Sequence, residues 1–419
     1  MSKSNKFSAK VKKTLNVLGP GLITGASDDD PSGIATYSQA GAQFGLSTLW
    51  MSLLTFPLMA AIQGMCARIG LVTSQGLTVT LKQHYSKPFL YIMLLFSFPA
   101  ITLNIGADIQ GMGAVAHMIF PKIPAFACSI FFTAILMFII IKYPYQKIAQ
   151  ILKWLCLSVL LYVLVPFMIK QNWALIAKHT FIPTLHFNAS FFSIIVALLG
   201  TTISPYLFFW QATMEAEDIA HSKRKIVVNK RVLDNMKADV NTGMLLSNVV
   251  MFFIILTAGS VLFPAGIRQI DTVDQAAKAL APLTGKFTYL IFALGVMGTG
   301  LLAIPVLAGS QSYMLAETFG WQAGLDKKFP QAQPFYISII ISLLVGLSLD
   351  FLGISAIQAL IYTAILYGLT APVMIAMIMH IGNNKKIMGE NTNSKLSNAL
   401  GFITLILMTA AAVALIYFW

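Results

Sequence analysis

Three consecutive carboxylates, Asp28, Asp29 and Asp30, interrupt an apolar stretch that runs from Gly19-Pro20-Gly21 to Pro31-Ser32-Gly33. At membrane depth an acid is kept only where it lines a cavity or meets a cation. Pro31 removes a backbone donor and pushes Asp30 out of helical geometry, and Gly33 loosens the turn further. A helix broken in this way bares backbone carbonyls, which is tolerable in a membrane only if something polar uses them. Carboxylate and carbonyl oxygens together are the ligands of a cation site. A second break has the same design: in Gly200-Thr201-Thr202-Ile203-Ser204-Pro205-Tyr206 a proline flanked by polar residues interrupts another apolar run. A third polar set, Asn104, Asp108 and Gln110, lies among Gly106, Gly111 and Gly113. The glycines let helices approach closely. Asp108, a lone acid at depth, is expected to line a transport or proton path.

The elements that hold these residues must be membrane helices. Of the 419 residues 57% are hydrophobic and only 10% charged, against about 25% charged in soluble domains. Apolar segments predict about eleven transmembrane spans, near 17–41, 47–69, 90–117, 124–142, 150–169, 190–214, 241–264, 287–316, 335–349, 354–380 and 397–418. With the N-terminus inside, only Lys122, Lys170, Lys178, Arg268, Lys278 and Lys286 face out, leaving 22 of the 28 Lys and Arg on the cytoplasmic side. That asymmetry places the N-terminus in the cytoplasm and, for an odd number of spans, the C-terminus outside. It also explains the net charge of +13 without a nucleic-acid partner. Residues 1–16 read as a basic cytoplasmic arm and 17–419 as one transporter domain. The segment from Glu215 to Asp239 reads as a solvated cytoplasmic connector, since its acids alternate with basic residues. Cys66, Cys128 and Cys156 are scattered singly and read as core residues, and no His pair has metal-binding spacing.

Breaks in the first and sixth spans point to an inverted-repeat transporter with its site between them. Repeat one covers 17–169, repeat two 190–380, and an extra span covers 397–418. The chain resembles the natural-resistance-associated macrophage protein (NRAMP) family of divalent metal transporters. That family opens with Gly-Pro-Gly, an eight-residue spacer and Asp-Pro-Gly-Asn; here Gly19-Pro20-Gly21 leads through the same spacer to Asp30-Pro31-Ser32-Gly33. Ser204-Pro205-Tyr206 stands where the family has Met-Pro-His, and Asn384-Lys385-Lys386-Ile387-Met388-Gly389 is similar to the loop after its tenth span. The resemblance implies an all-α, LeuT-like fold with broken helices 1 and 6.

Carried over residue by residue, the resemblance implies metal contacts at Asp30, Gly33, Ser204 and the carbonyl of Thr201. The family's amide is missing at Gly33 and its thioether at Ser204, which leaves an all-oxygen site. Oxygen ligands suit Mg²⁺, and a roomier site could take the ion partly hydrated. These departures look like those of the family's magnesium-transporting branch. Tyr206 replaces the family's proton-path His, and its acid pair keeps Asp108 but reads Gly111 for the Glu, so proton coupling is expected to be weak or absent. Asp28 and Asp29 read either as attractors at the cavity mouth or as solvated residues near the break. The expected activity is import of Mg²⁺ or Mn²⁺ across a bacterial-type inner membrane by alternating access, by a carrier and not an enzyme. It is expected to work as a monomer in lipid, with no cofactor apart from the transported ion. The alternatives are a proton-coupled Mn²⁺/Fe²⁺ symporter, a cation-coupled amino-acid symporter and, least favoured, a Mg²⁺-dependent intramembrane prenyltransferase.

Overall fold

A computed structural model of the chain describes residues 19–144, 147, 162–221, 228–284 and 288–418. The basic arm 1–16, residues 150–161 of the expected fifth span, Cys156 and the cluster Lys223, Arg224 and Lys225 lie outside them.

The apolar runs form helices. The first span is two half-helices, α1 (Pro20–Asp28) and α2 (Pro31–Phe44), separated by Asp29 and Asp30. Next come α3 (Trp50–Thr73), α4 (Lys87–Ile119) and α5 (Ala125–Lys142). The sixth span is again two pieces, α6 (Ala189–Thr202) and α7 (Pro205–His221), parted at Ile203 and Ser204. They are followed by α8 (Lys230–Val261), α9 (Thr288–Phe319), α10 (Gln333–Leu347), α11 (Ala356–Asn383) and α12 (Lys395–Phe418). Among the described residues nine helices are long and apolar enough to cross a membrane, counting α6 and α7 together; the halves of the first span are each too short to be counted. Proline opens the second half of both broken spans, where its missing N–H costs nothing because the first turn has no partner for it.

The broken helices run through the middle. Helix α8 packs along α1, α2 and α3, α11 along α6, α4 and α2, and α7 against α3 and α9. The outside of the bundle is apolar and exposed, with Leu95, Phe131, Phe138, Ile406 and Val413 facing outward, as lipid requires.

The loop between the second and third spans contains a short helix, Leu77–His84. The connector expected from Glu215 to Asp239 proves different at both ends. It is largely the end of α7 and the start of α8. Glu215 is buried and accepts a hydrogen bond from Gln211 Nε2 at 2.9 Å. Asp239 Oδ2 accepts one from Gly21 N at 2.7 Å. Charge alternation hid this: Glu215 is buried on α7, and the half-buried Asp239 reaches the backbone of the first half-helix. The approach of α1 to α8 is tight: a Cβ on Gly25 would come within 2.3 Å of the Gly243 carbonyl oxygen.

Candidate metal site

Asp30 is the N-cap of α2. Its Oδ1 accepts from Gly33 N at 2.7 Å, satisfying one of the free donors of the first turn. Its Oδ2 accepts from Asn104 Nδ2 of α4 at 3.0 Å, and the amide oxygen of Asn104 accepts from Thr363 Oγ1 of α11 at 2.9 Å. Three helices thus fix the orientation of one carboxylate.

Opposite lies the second break. The Ser204 hydroxyl is within bonding distance of the Thr201 carbonyl at 2.6 Å and the Gly200 carbonyl at 3.0 Å, both of which the unwinding leaves without regular helix partners. The two breaks meet at Gly33, where an added Cβ would stand 3.4 Å from Thr201 Oγ1 and 3.3 Å from the Asp28 carbonyl oxygen. Asp30, Gly33, Thr201 and Ser204 are therefore brought together, and all four are buried. Tyr206 reaches across the same gap, its hydroxyl donating to the Ser27 carbonyl at 2.9 Å. It ties the end of α1 to the start of α7.

Asp28 and Asp29 are not solvated; they are 0% and 6% exposed. Both face Ser247 of α8, whose hydroxyl lies 2.6 Å from Asp28 Oδ2 and 3.4 Å from Asp29 Oδ1. Among the described residues no three His, Cys, Asp or Glu side chains converge as a metal cluster. An ion held here would meet one carboxylate and neutral oxygens. Asp108 is fully buried, close to Ser32 and within electrostatic reach of Asp30, yet neither of its oxygens closes a hydrogen bond with a described residue. At Gly111 a Cβ would meet Leu360 Cδ1 at 3.2 Å, so an apolar side chain crowds that position.

A family model for natural resistance-associated macrophage protein-like proteins matches residues 21–418. The chain belongs to that family. A curated relative, the divalent metal cation transporter MntH of Caldanaerobacter subterraneus subsp. tengcongensis, is 22% identical over 400 residues, 94% of this chain and 91% of that protein. The manganese transporter of Eremococcus coleocola superimposes with a TM-score of 0.78 at 16% identity, covering 96% of this chain and 86% of that one. MhsT, in a crystal structure with L-phenylalanine, gives a TM-score of 0.61 at 14% identity, covering 96% and 97%. The Nramp fold here is LeuT-like and nearly all-helical.

Asn104, Ser247 and Thr363 were not singled out as site residues by the sequence reading. Asn104 carried a usable signal, a polar side chain one helical turn before Asp108. Ser247 and Thr363 carried none, since membrane helices commonly contain isolated hydroxyls.

Proposed function

We propose that this Nramp-family chain imports Mg²⁺ or Mn²⁺ by alternating access, holding the ion between the two breaks. The observation that carries the reading is the Asp30 carboxylate, buried at the mouth of α2 and joined through Gly33 to the neutral oxygens of Thr201 and Ser204. Carboxylate, carbonyl and hydroxyl are hard donors, suited to Mg²⁺ and Mn²⁺; no thioether stands at residue 204 to favour softer ions. The N-terminus is cytoplasmic and the inside-negative potential drives entry, worth roughly 4.6 kcal/mol per 100 mV for two charges.

Proton coupling is weak or absent in this reading. Tyr206 is committed to the Ser27 carbonyl, and Leu360 crowds the place at Gly111 where a second acid would stand. The observation favouring a proton-coupled symporter instead is Asp108, an acid whose oxygens close no hydrogen bond with the described residues. Proteoliposomes at a clamped potential separate the two readings. Mg²⁺ or Mn²⁺ entry with little internal acidification is expected. Acidification that scales with metal flux and disappears in Asp108→Asn would establish the symporter.

A further inference from the structure

The family's amide ligand is missing at residue 33, yet an amide stands on Asp30 from another helix. Asn104 Nδ2 lies 3.0 Å from Asp30 Oδ2. Two neighbouring oxygens of an octahedral ion with bonds of about 2.1 Å are separated by about 3.0 Å. The terminal atoms of Asn104 and Asp30 thus already have the spacing of two ligands of one small cation. What faces Asp30, however, is the N–H end of the amide, which suits a bare carboxylate and repels a cation.

Resting on the transport reading above, we propose that Asn104 is an ion ligand whose amide turns over when a divalent cation reaches Asp30, presenting its oxygen. The other side of the amide permits the turn. Thr363 Oγ1 lies 2.9 Å from Asn104 Oδ1 and 2.8 Å from the Leu360 carbonyl. A hydroxyl is both donor and acceptor. With the ion absent it donates to the Asn104 oxygen. After the turn it donates to the Leu360 carbonyl and accepts from the Asn104 N–H. In either state the Asn104 oxygen, one of its two N–H groups and the Thr363 hydroxyl all have partners, which lowers the cost of a buried switch of this kind. The ion at Asp30 is thereby sensed on α11, through Thr363.

Mg²⁺ and Mn²⁺ binding to the purified full-length protein, by titration calorimetry, tests this with two variants. Asn104→Leu removes both ends of the amide and is expected to weaken binding at least tenfold. Asn104→Asp cannot donate to Asp30 but supplies oxygen, and is expected to bind at least as tightly as wild type. If Asn104→Asp binds as poorly as Asn104→Leu, the amide serves only as a donor that positions Asp30, and the assignment fails. Normal wild-type binding alongside that result leaves the transport reading standing; no binding by wild type overturns both.

Discussion

Asp30 does two jobs that substitution can separate. As a cap it accepts from Gly33 N at 2.7 Å, and as an anion it supplies formal charge beside the oxygens of the second break. Asp30→Asn keeps an oxygen for the Gly33 N–H and removes the charge. Asp30→Ala removes both, and loss of a cap costs about 0.5–2 kcal/mol. The attraction of one carboxylate for a divalent ion ~4 Å away is about 8 kcal/mol gross at an effective dielectric of about 20, before the cost of desolvation is subtracted. Even if desolvation cancels two thirds of it, the remainder is worth about a hundredfold in affinity. Both variants should therefore lose metal uptake by about a hundredfold or more in proteoliposomes. Thermal unfolding should distinguish them, with Asp30→Asn close to wild type and Asp30→Ala lower in Tm. Uptake by Asp30→Asn at wild-type rates would refute the reasoning, because the ion would then be held elsewhere.

Other expectations follow from the same geometry. Ser204→Met should shift competition towards Cd²⁺ over Mg²⁺ without a full switch, since one thioether replaces one hydroxyl; an unchanged ratio would mean that residue 204 does not face the ion. Gly25→Ala should destabilise the protein by about 1–3 kcal/mol, seen as a lower Tm, because the new methyl would sit 2.3 Å from the Gly243 carbonyl. Tyr206→Phe should cost about 1 kcal/mol in stability through the lost bond to Ser27 while leaving the ratio of proton to metal flux unchanged in the vesicle assay. Vesicles preloaded with Mn²⁺ should take up labelled Mn²⁺ faster than empty ones, because returning the carrier without an ion leaves buried carboxylates uncompensated.

The breaks were legible because proline and consecutive acids in an apolar run have few other uses in a membrane. Asp30 stood out for that reason, whereas Gly33, Thr201 and Ser204 were reached only through the family resemblance, which also made the residue-type differences at 33 and 204 visible without coordinates. Asn104 was noticed as polar but not as a partner of Asp30, 74 positions away, because sequence spacing reports which residues share a helix face and not which helices adjoin. Glu215 and Asp239 were misplaced for the opposite reason. Alternating charge usually marks a solvated segment, and here Asp239 accepts from Gly21 N at the start of α1 while Glu215 is buried beside Gln211 on α7.

The fold alone does not decide what is carried, since a LeuT-like architecture also superimposes on MhsT with L-phenylalanine. The residues at the break bear on that choice. A substrate carboxylate at a broken helix is held by exposed N–H groups at the start of a half-helix. In this chain the start of α2 is already occupied: Asp30 accepts from Gly33 N at 2.7 Å. An amino-acid carboxylate arriving there would have to displace Asp30 from its own cap and would meet Asp28 and Asp29 within electrostatic reach. A divalent cation meets the opposite situation, with Asp30 already aimed and the acidic side chains of Asp28 and Asp29 beside it, both facing Ser247. The same cap that completes α2 disfavours an anionic substrate and, in the proposed function, receives the cation, so that the local folding of the break and the choice of cargo would have one cause.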